Sequence, residues 1–349
     1  MKTPPRVFFL NRPLGGGIMV VGAKEPLCDV RRAPRVYFRS DRKQFMHKSF
    51  RRLFLCALAA GLLLSTLSAE GAGEFNGEPG AAILAGCGGA ILYFDASGAV
   101  ARRYDENVGN MGDCHLLESG NILYADAVSA KEIAPDGTLL REWTDPDGGS
   151  GDFTFSVQRT ADGGTVIGSN SSNAILEYDK DDNLLRRIPC AFLDRPGSHD
   201  NMRWVRKTAR GTYLAAQKSK GVIAEYDAEG RILRKMSVPD HEVYGLAEVP
   251  GTGEVYGTFL DCVVKFDAQG NEVWRCTKDD LPSLELTYIC SIQIRASGNL
   301  VLGNYAANRD GVHAVCMFEI TPEKDVVWSY RDAEGPDSFL GVEVAEPAP

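Results

Sequence analysis

The chain has 349 residues, of which 44% are hydrophobic and 24% charged, proportions that exclude both wholesale disorder and a polytopic membrane protein. The net charge of −9 hides an asymmetry, because residues 1 to 71 carry 13 Lys and Arg against 4 Asp and Glu, which leaves the remainder at −18. Such a body repels phosphate backbones and argues against a nucleic-acid partner, whereas a surface kept soluble by charge accounts for it.

Residues 46–71 read MHKSFRRLFLCALAAGLLLSTLSAEG. Lys48, Arg51 and Arg52 precede an apolar run from Leu53 to about Leu67 and then small residues, the layout of a signal peptide, with cleavage expected after Ala69 or Gly71. The run is shorter than the ~20 residues of a spanning helix, so no stable membrane span is expected after cleavage. Cys56 lies inside the run, which speaks against lipoprotein attachment. Residues 1–45, rich in Arg and Pro and without periodicity, are read as an upstream over-extension of the reading frame, with translation starting at Met46. A long basic n-region or a targeting arm is the alternative. The expectation is export to the periplasm or the extracellular space.

Beyond the leader one motif recurs. AILYFDASGAVARRY (90–104), KEIAPDGTLLREW (131–143), AILEYDKDDNLLRRI (174–188), VIAEYDAEGRILRKM (222–236), CVVKFDAQGNEVWRC (262–276) and CMFEITPEKDVVWSY (316–330) each set two apolar runs around a turn. Gly98, Gly137, Gly230 and Gly270 mark four of the turns with a residue that tolerates positive φ. Asp182 and Lys324 stand there in the other two, which are expected to differ in type or to carry strain. The turn positions are 39, 45, 48, 40 and 54 residues apart, the period of propeller blades.

A second kind of hairpin lies between: HLLESGNILYAD (115–126), VQRTADGGTVIGS (157–169), MRWVRKTARGTYLAA (202–216), LAEVPGTGEVYGT (246–258) and IQIRASGNLVLGN (292–304). The sixth is divided between the ends, with FLGVEVA (339–345) resembling a first strand and AAILAGC (81–87) a second. Pairing them closes the ring and removes exposed sheet edges. The expected fold is an all-β, six-bladed β-propeller of four-stranded antiparallel blades, a single domain over residues 72–349 closed by pairing of its N- and C-terminal strands. A solenoid would not need complementary half-hairpins, and a sandwich would seldom repeat four strands six times.

Seven cysteines follow the leader, with no C-x-x-C pair and no metal-ligand spacing. The odd number fits buried free thiols, while export permits disulfides. If Asp267 faces Asn271 across the turn, Cys262 lies directly opposite Cys276, and a cross-strand disulfide is expected there.

The turns E-Y-D-A-E-G and K-F-D-A-Q-G, the hairpins S-G-N-I-L and S-G-N-L-V and the tryptophans of NEVWRC and DVVWSY resemble the broad superfamily of NHL-like, YVTN-like and quinoprotein-like β-propellers over about residues 81–345. The Gly-His and Trp-Asp pairs of WD40 blades are missing. The resemblance implies a fold and carries no chemistry. Quinone-dependent dehydrogenases resemble eight-bladed propellers, and the count here is six. Exported arylsulfotransferases look similar in blade pattern and use channel His and Arg residues, but no catalytic motif matches residue by residue.

In a propeller the loops leading into the inner strands share one face, the top face, with those joining the second and third strands. His115, His199, His241 and His313 all fall in top-face segments, where convergence at the channel mouth would suit acid–base work or metal ligation. His199, Asp200, Asn201 and Arg203 form the densest polar group before an inner strand. With His115 and His241 they are the candidate ligand-binding residues, and a satisfied turn explains the same tetrad. Lys218, Lys220 and Arg309 would add positive charge, or form a solvated rim. Trp204, Trp274, Trp328, Tyr178 and Tyr226 lie within strand patterns and are assigned to inter-blade core. The acidic loop DPDGGSGD (145–152) matches no EF-hand and is read as a connection.

No phosphate loop, nucleophile elbow or His-Glu-x-x-His motif is present, and no cofactor is identified. Two functions stay open. One is an exported module that binds a small-molecule or protein ligand at the top face. The other is an enzyme using channel-mouth histidines, a metal-dependent lactonase-type hydrolase or an arylsulfotransferase-like transferase.

Overall fold

The computed structural model describes residues 73–105, 111–148, 153–190, 197–308, 313–336 and 338–345. The leader with its expected start and cleavage sites, Arg309 and positions 149–152 of the acidic loop lie outside the described residues. Among those described, no helix is long and apolar enough to cross a membrane.

The chain enters on a short strand, β1 (Glu74–Asn76), and supplies three strands of blade 1: β2 (Ile83–Cys87), β3 (Ala90–Phe94) and β4 (Val100–Tyr104). Blade 2 holds β5 (Asp113–Leu116), β6 (Ile122–Ala125), β7 (Ala130–Ile133) and β8 (Leu139–Trp143). Blade 3 follows with β9 (Val157–Arg159), β10 (Thr165–Ser169), β11 (Ala174–Tyr178) and β12 (Leu184–Pro189), and blade 4 with β13 (Met202–Lys207), β14 (Tyr213–Gln217), β15 (Val222–Tyr226) and β16 (Ile232–Ser237). Blade 5 is β17 (Val243–Glu248), β18 (Val255–Phe259), β19 (Cys262–Phe266) and β20 (Glu272–Thr277). Blade 6 is β21 (Tyr288–Ile294), β22 (Leu300–Tyr305), β23 (Met317–Ile320) and β24 (Val326–Arg331). The last strand, β25 (Phe339–Val344), returns to blade 1 and pairs antiparallel with β2, from Ile83↔Val344 to Cys87↔Phe339. The molecule is the expected six-bladed β-propeller closed by its terminal strands. β1, which had no signal in the sequence, adds a fifth strand to blade 6, and its Phe75 packs on Phe94, Trp328 and Tyr330.

The outer hairpins share one design. Asp227 and Asp267 accept turn amides on their carboxylates while glycine takes the left-handed position, φ 83° at Gly230 and 88° at Gly270. Asp182 and Lys324 adopt the same geometry at φ 65° and 74°, so the turn type is kept and the conformational cost falls on the side chain. Past each turn the fourth strand carries one extra residue, a β-bulge, in all six blades. That bulge corrects the disulfide expectation. The N–H of Asp267 does bond the carbonyl of Asn271, but the slip at Lys265/Phe266 then pairs Cys262 with Thr277 and Val263 with Cys276. The two sulfurs fall on opposite faces of the sheet, and both residues are buried free thiols.

Inner strands have no ladder partner on the axis side, and side chains of neighbouring blades stitch them together instead. Asp113 accepts Val157 N–H at 3.2 Å, Ser156 Oγ accepts Val205 N–H at 2.7 Å and Gln158 accepts Lys207 N–H at 2.7 Å. Gln293 bonds both the N–H and the carbonyl of Val344, at 2.8 and 2.9 Å, across the closure.

Candidate functional site

Pairing with the third residue of each second strand sets the level of every inner strand. Cys114, Val157, Val205, Leu246, Ile292 and Val342 occupy that place, each buried between blades. One residue later, His115, Gln158, Arg206, Ala247, Gln293 and Glu343 face the axis as a lower ring around a cavity of about 390 Å3. Two residues earlier, Gly112, Phe155, Arg203, Tyr244, Cys290 and Leu340 form a mouth ring around an upper cavity of about 100 Å3. Between the rings lies a waist of Asp113, Ser156, Trp204, Gly245, Ser291 and Gly341. Register slips in blades 1, 4, 5 and 6, just above the waist, turn consecutive residues toward the axis.

The waist is small almost everywhere because the strands nearly touch. A Cβ on Gly341 would lie 2.8 Å from Cys114 N, and one on Gly245 2.8 Å from Cys290 O. Trp204 is the exception. Its indole N–H donates to Gly112 O at 2.8 Å, Arg206 stacks on its ring at 4.3 Å, and it lines both cavities. Trp204 is buried with the core shared by blades 4 to 6, as expected, and the slip at Met202/Val205 also brings it to the axis. Trp328, Tyr178 and Tyr226 are buried as expected, and Trp274 is half-buried, donating to Pro322 O of the next blade.

The upper cavity gathers part of the expected tetrad. Arg203, buried, lies 4.2 Å from the Phe155 ring centre and 5.6 Å from that of Tyr244, and its Nη2 is 2.7 Å from His199 Nε2. An arginine donates only, so His199 accepts on Nε2 and carries its proton on Nδ1 in this contact. His199 meets Phe155 edge to face at 5.0 Å. Lys218 also lines the cavity, 2.6 Å from Asp200 and 3.6 Å from Glu242. Lys218, then His199 and Arg203, hold the Asp200 carboxyl below its usual range. Burial pushes up the Tyr244 phenol and the Cys290 thiol, so both stay neutral, and Cys290 is a poor nucleophile near neutral pH.

The other candidates lie elsewhere. Asn201 is buried and donates to Asn173 at 3.1 Å, a structural contact below the rim. His115 is three residues into β5 and belongs to the lower ring, 3.2 Å from Asp113 and 2.8 Å from Glu343. Burial alone would lower its pKa, but the Asp113 and Glu343 carboxylates outweigh that and raise it to about 9. His241 turns outward to Asp261, at 2.9 Å, and His313 is exposed. The four histidines therefore do not converge at the mouth. His241, Asp261 and Cys262 are the described cluster whose donor atoms could hold a metal ion, but Arg275 lies 3.4 Å from the Cys262 sulfur and opposes a cation there. In the acidic loop, Asp145 is taken up by Arg187 at 2.6 Å and by Ser169 and Ser172.

Sequence reading missed Phe155, Tyr244 and Tyr305 at this cavity. A signal for two of them existed: the inner strands share a four-residue frame, F-S-V-Q, Y-G-L-A, C-S-I-Q and L-G-V-E, whose first residue is the mouth position.

No family model matches the chain, and no curated protein matches it. Among solved structures the chain is similar to a protein of unknown function from Bacteroides caccae, at 20% identity and a TM-score of 0.66 over 75% of this chain and 97% of that one. It is also similar to a catalytically inactive virginiamycin B lyase from Staphylococcus aureus, solved with quinupristin, at 13% identity and a TM-score of 0.50 over 74% and 89%. The WD40 β-propeller domain of Doa1 aligns at 14% identity and a TM-score of 0.50 over 64% and 71%. These likenesses show the propeller fold.

Proposed function

We propose that the protein is an exported ligand-binding propeller of the NHL-like, YVTN-like and quinoprotein-like kind, and that its ligand occupies the upper cavity. The observation that carries this reading is the mouth ring, where six residues far apart in sequence, among them the buried Arg203 between two aromatic rings, surround one concavity open at the top face. A rigid scaffold holds such a constellation without a mobile lid. Export rests on the leader alone. Binding is favoured over catalysis because the histidines on which the enzymatic alternative rested are dispersed and the cavity thiol stays protonated. Screening a fragment library by ligand-observed NMR tests the reading. Hits should be lost in His199→Ala and Lys218→Ala and kept in the bottom-turn variants Glu229→Ala and Gln269→Ala. Hits that survive both mouth substitutions would place the ligand elsewhere.

A further inference from the structure

The upper cavity has a chemical bias that narrows its ligand, given the reading that the cavity is the binding site. Its lining carries two cationic side chains, Arg203 and Lys218, beside the aromatic faces of Phe155, Tyr244 and Tyr305. None of the described residues lining it is acidic, although the chain beyond the leader stands at −18. A concave, low-dielectric patch of one sign concentrates the opposite charge. The molecule also carries its own occupants of that field, two rim carboxylates, of which Glu242 lies 3.6 Å from Lys218 and accepts the Tyr244 hydroxyl at 3.1 Å. Asp200, more than half exposed at the rim, sits 2.6 Å from Lys218, and its carboxyl is held acidic by Lys218, His199 and Arg203 together.

We propose that the ligand is a small organic carboxylate with a flat apolar body, its carboxylate displacing or sharing the place of Asp200 and its ring entering among Phe155, Tyr244 and Trp204. The cavity, at about 100 Å3, is smaller than the apolar cavity of roughly 150 Å3 that takes up benzene, so a ring would enter it in part and leave its carboxylate at the open rim. A guanidinium stacked on aromatic rings presents its N–H donors edge-on, where a ligand carboxylate would compete with His199 for them. Lys218 supplies a second, less directional charge.

The test is calorimetric titration with benzoate, benzamide and benzylamine, read in parallel by intrinsic tryptophan fluorescence. Benzoate is expected to bind at least tenfold more tightly than benzamide, with benzylamine weakest, and to weaken as salt is raised. Lys218→Met should weaken benzoate about tenfold, the order expected for a lost charge-assisted contact. Asp200→Asn, which removes the nearer of the two internal competitors, should tighten it several-fold. Arg203→Lys, which keeps the charge and the burial, covers the case in which a larger change at that position unfolds the blade. Benzamide or benzylamine binding as well as benzoate, Asp200→Asn weakening benzoate, or no binding of any probe at about 10 mM would overturn the carboxylate assignment. In the first case loss of benzamide binding in Phe155→Ala would leave the cavity standing as the site. Benzoate binding that ignores every mouth substitution would instead overturn the site.

Discussion

At the scale of single residues, the molecule places unusual side chains where the ring geometry demands them. His115 is the clearest case, held protonated between Asp113 and Glu343. Its folded pKa, about 9, lies above the 6.5 of an unperturbed histidine, so its contribution to stability is full below about pH 6.5 and is lost as pH rises through about 9. The wild-type unfolding free energy should therefore fall between those pH values by about 3 kcal/mol, and the fall should vanish in His115→Gln. A midpoint equally flat in both proteins would contradict the ion-paired state. At the waist, Gly341→Ala should cost several kcal/mol because its Cβ meets the Cys114 backbone, which cannot give way as a side-chain tip can. At the turn of blade 6, Lys324→Gly should raise stability by roughly 0.5–1 kcal/mol, since glycine tolerates the left-handed φ that lysine pays for. Chemical denaturation of each variant decides these signs.

At the scale of elements, the bulged hairpin explains what was legible in the chain and what was not. Turn residues and alternating apolar runs are local, so the hairpins and their period could be read directly. The register beyond each turn depends on one extra residue that leaves no compositional mark, which is why Cys262 and Cys276 looked paired and are not. Denatured, unreduced protein should accordingly alkylate at all seven cysteines that follow the leader, and a mass deficit of two labels would restore a disulfide. The third strands show a second repeated device. Glu132, Glu177, Glu225 and Glu319 are buried and ion-paired, Glu177 to Lys207 and Arg186 and Glu225 to Arg234 and Arg210. Burial would raise the carboxyls of Glu177 and Glu225, but hydrogen bonds and cations more than reverse it, so both are held below the usual range. Their contribution is present above the unfolded pKa and is lost as pH falls through the folded one. Glu225→Gln should cost about 1–3 kcal/mol near neutral pH, since the half-buried Arg234 loses its carboxylate and keeps only the carbonyls of Asp267 and Gly253, and should flatten the acid limb of the stability profile.

At the scale of the whole molecule, closure by β25 makes the two ends of the domain one blade, so removing residues 339–345 should abolish cooperative unfolding rather than merely lower the midpoint. Circular dichroism of that truncation shows which occurs. The same global geometry governed how much of the site could be foreseen. The tetrad from His199 to Arg203 was visible because its polar residues are neighbours in sequence. The mouth ring was not, because Phe155 and Tyr244 meet Arg203 only once the blades are wound around one axis, and because the slips in blades 4 and 5 that aim Arg203 and Tyr244 inward are again invisible in composition, while Tyr305 reaches the same cavity from a second strand. His115 was misplaced for a related reason, since a shift of three residues along an inner strand carries a side chain from the mouth ring to the lower ring. The central claim is that this ring is where the protein binds its ligand, and crystallographic screening of the propeller domain with a library of several hundred small fragments tests it most directly. Fragments should collect in the upper cavity against Arg203, Phe155 and Tyr244. A screen whose fragments cluster in the lower cavity or on the bottom turns, with the upper one taking none, would contradict it.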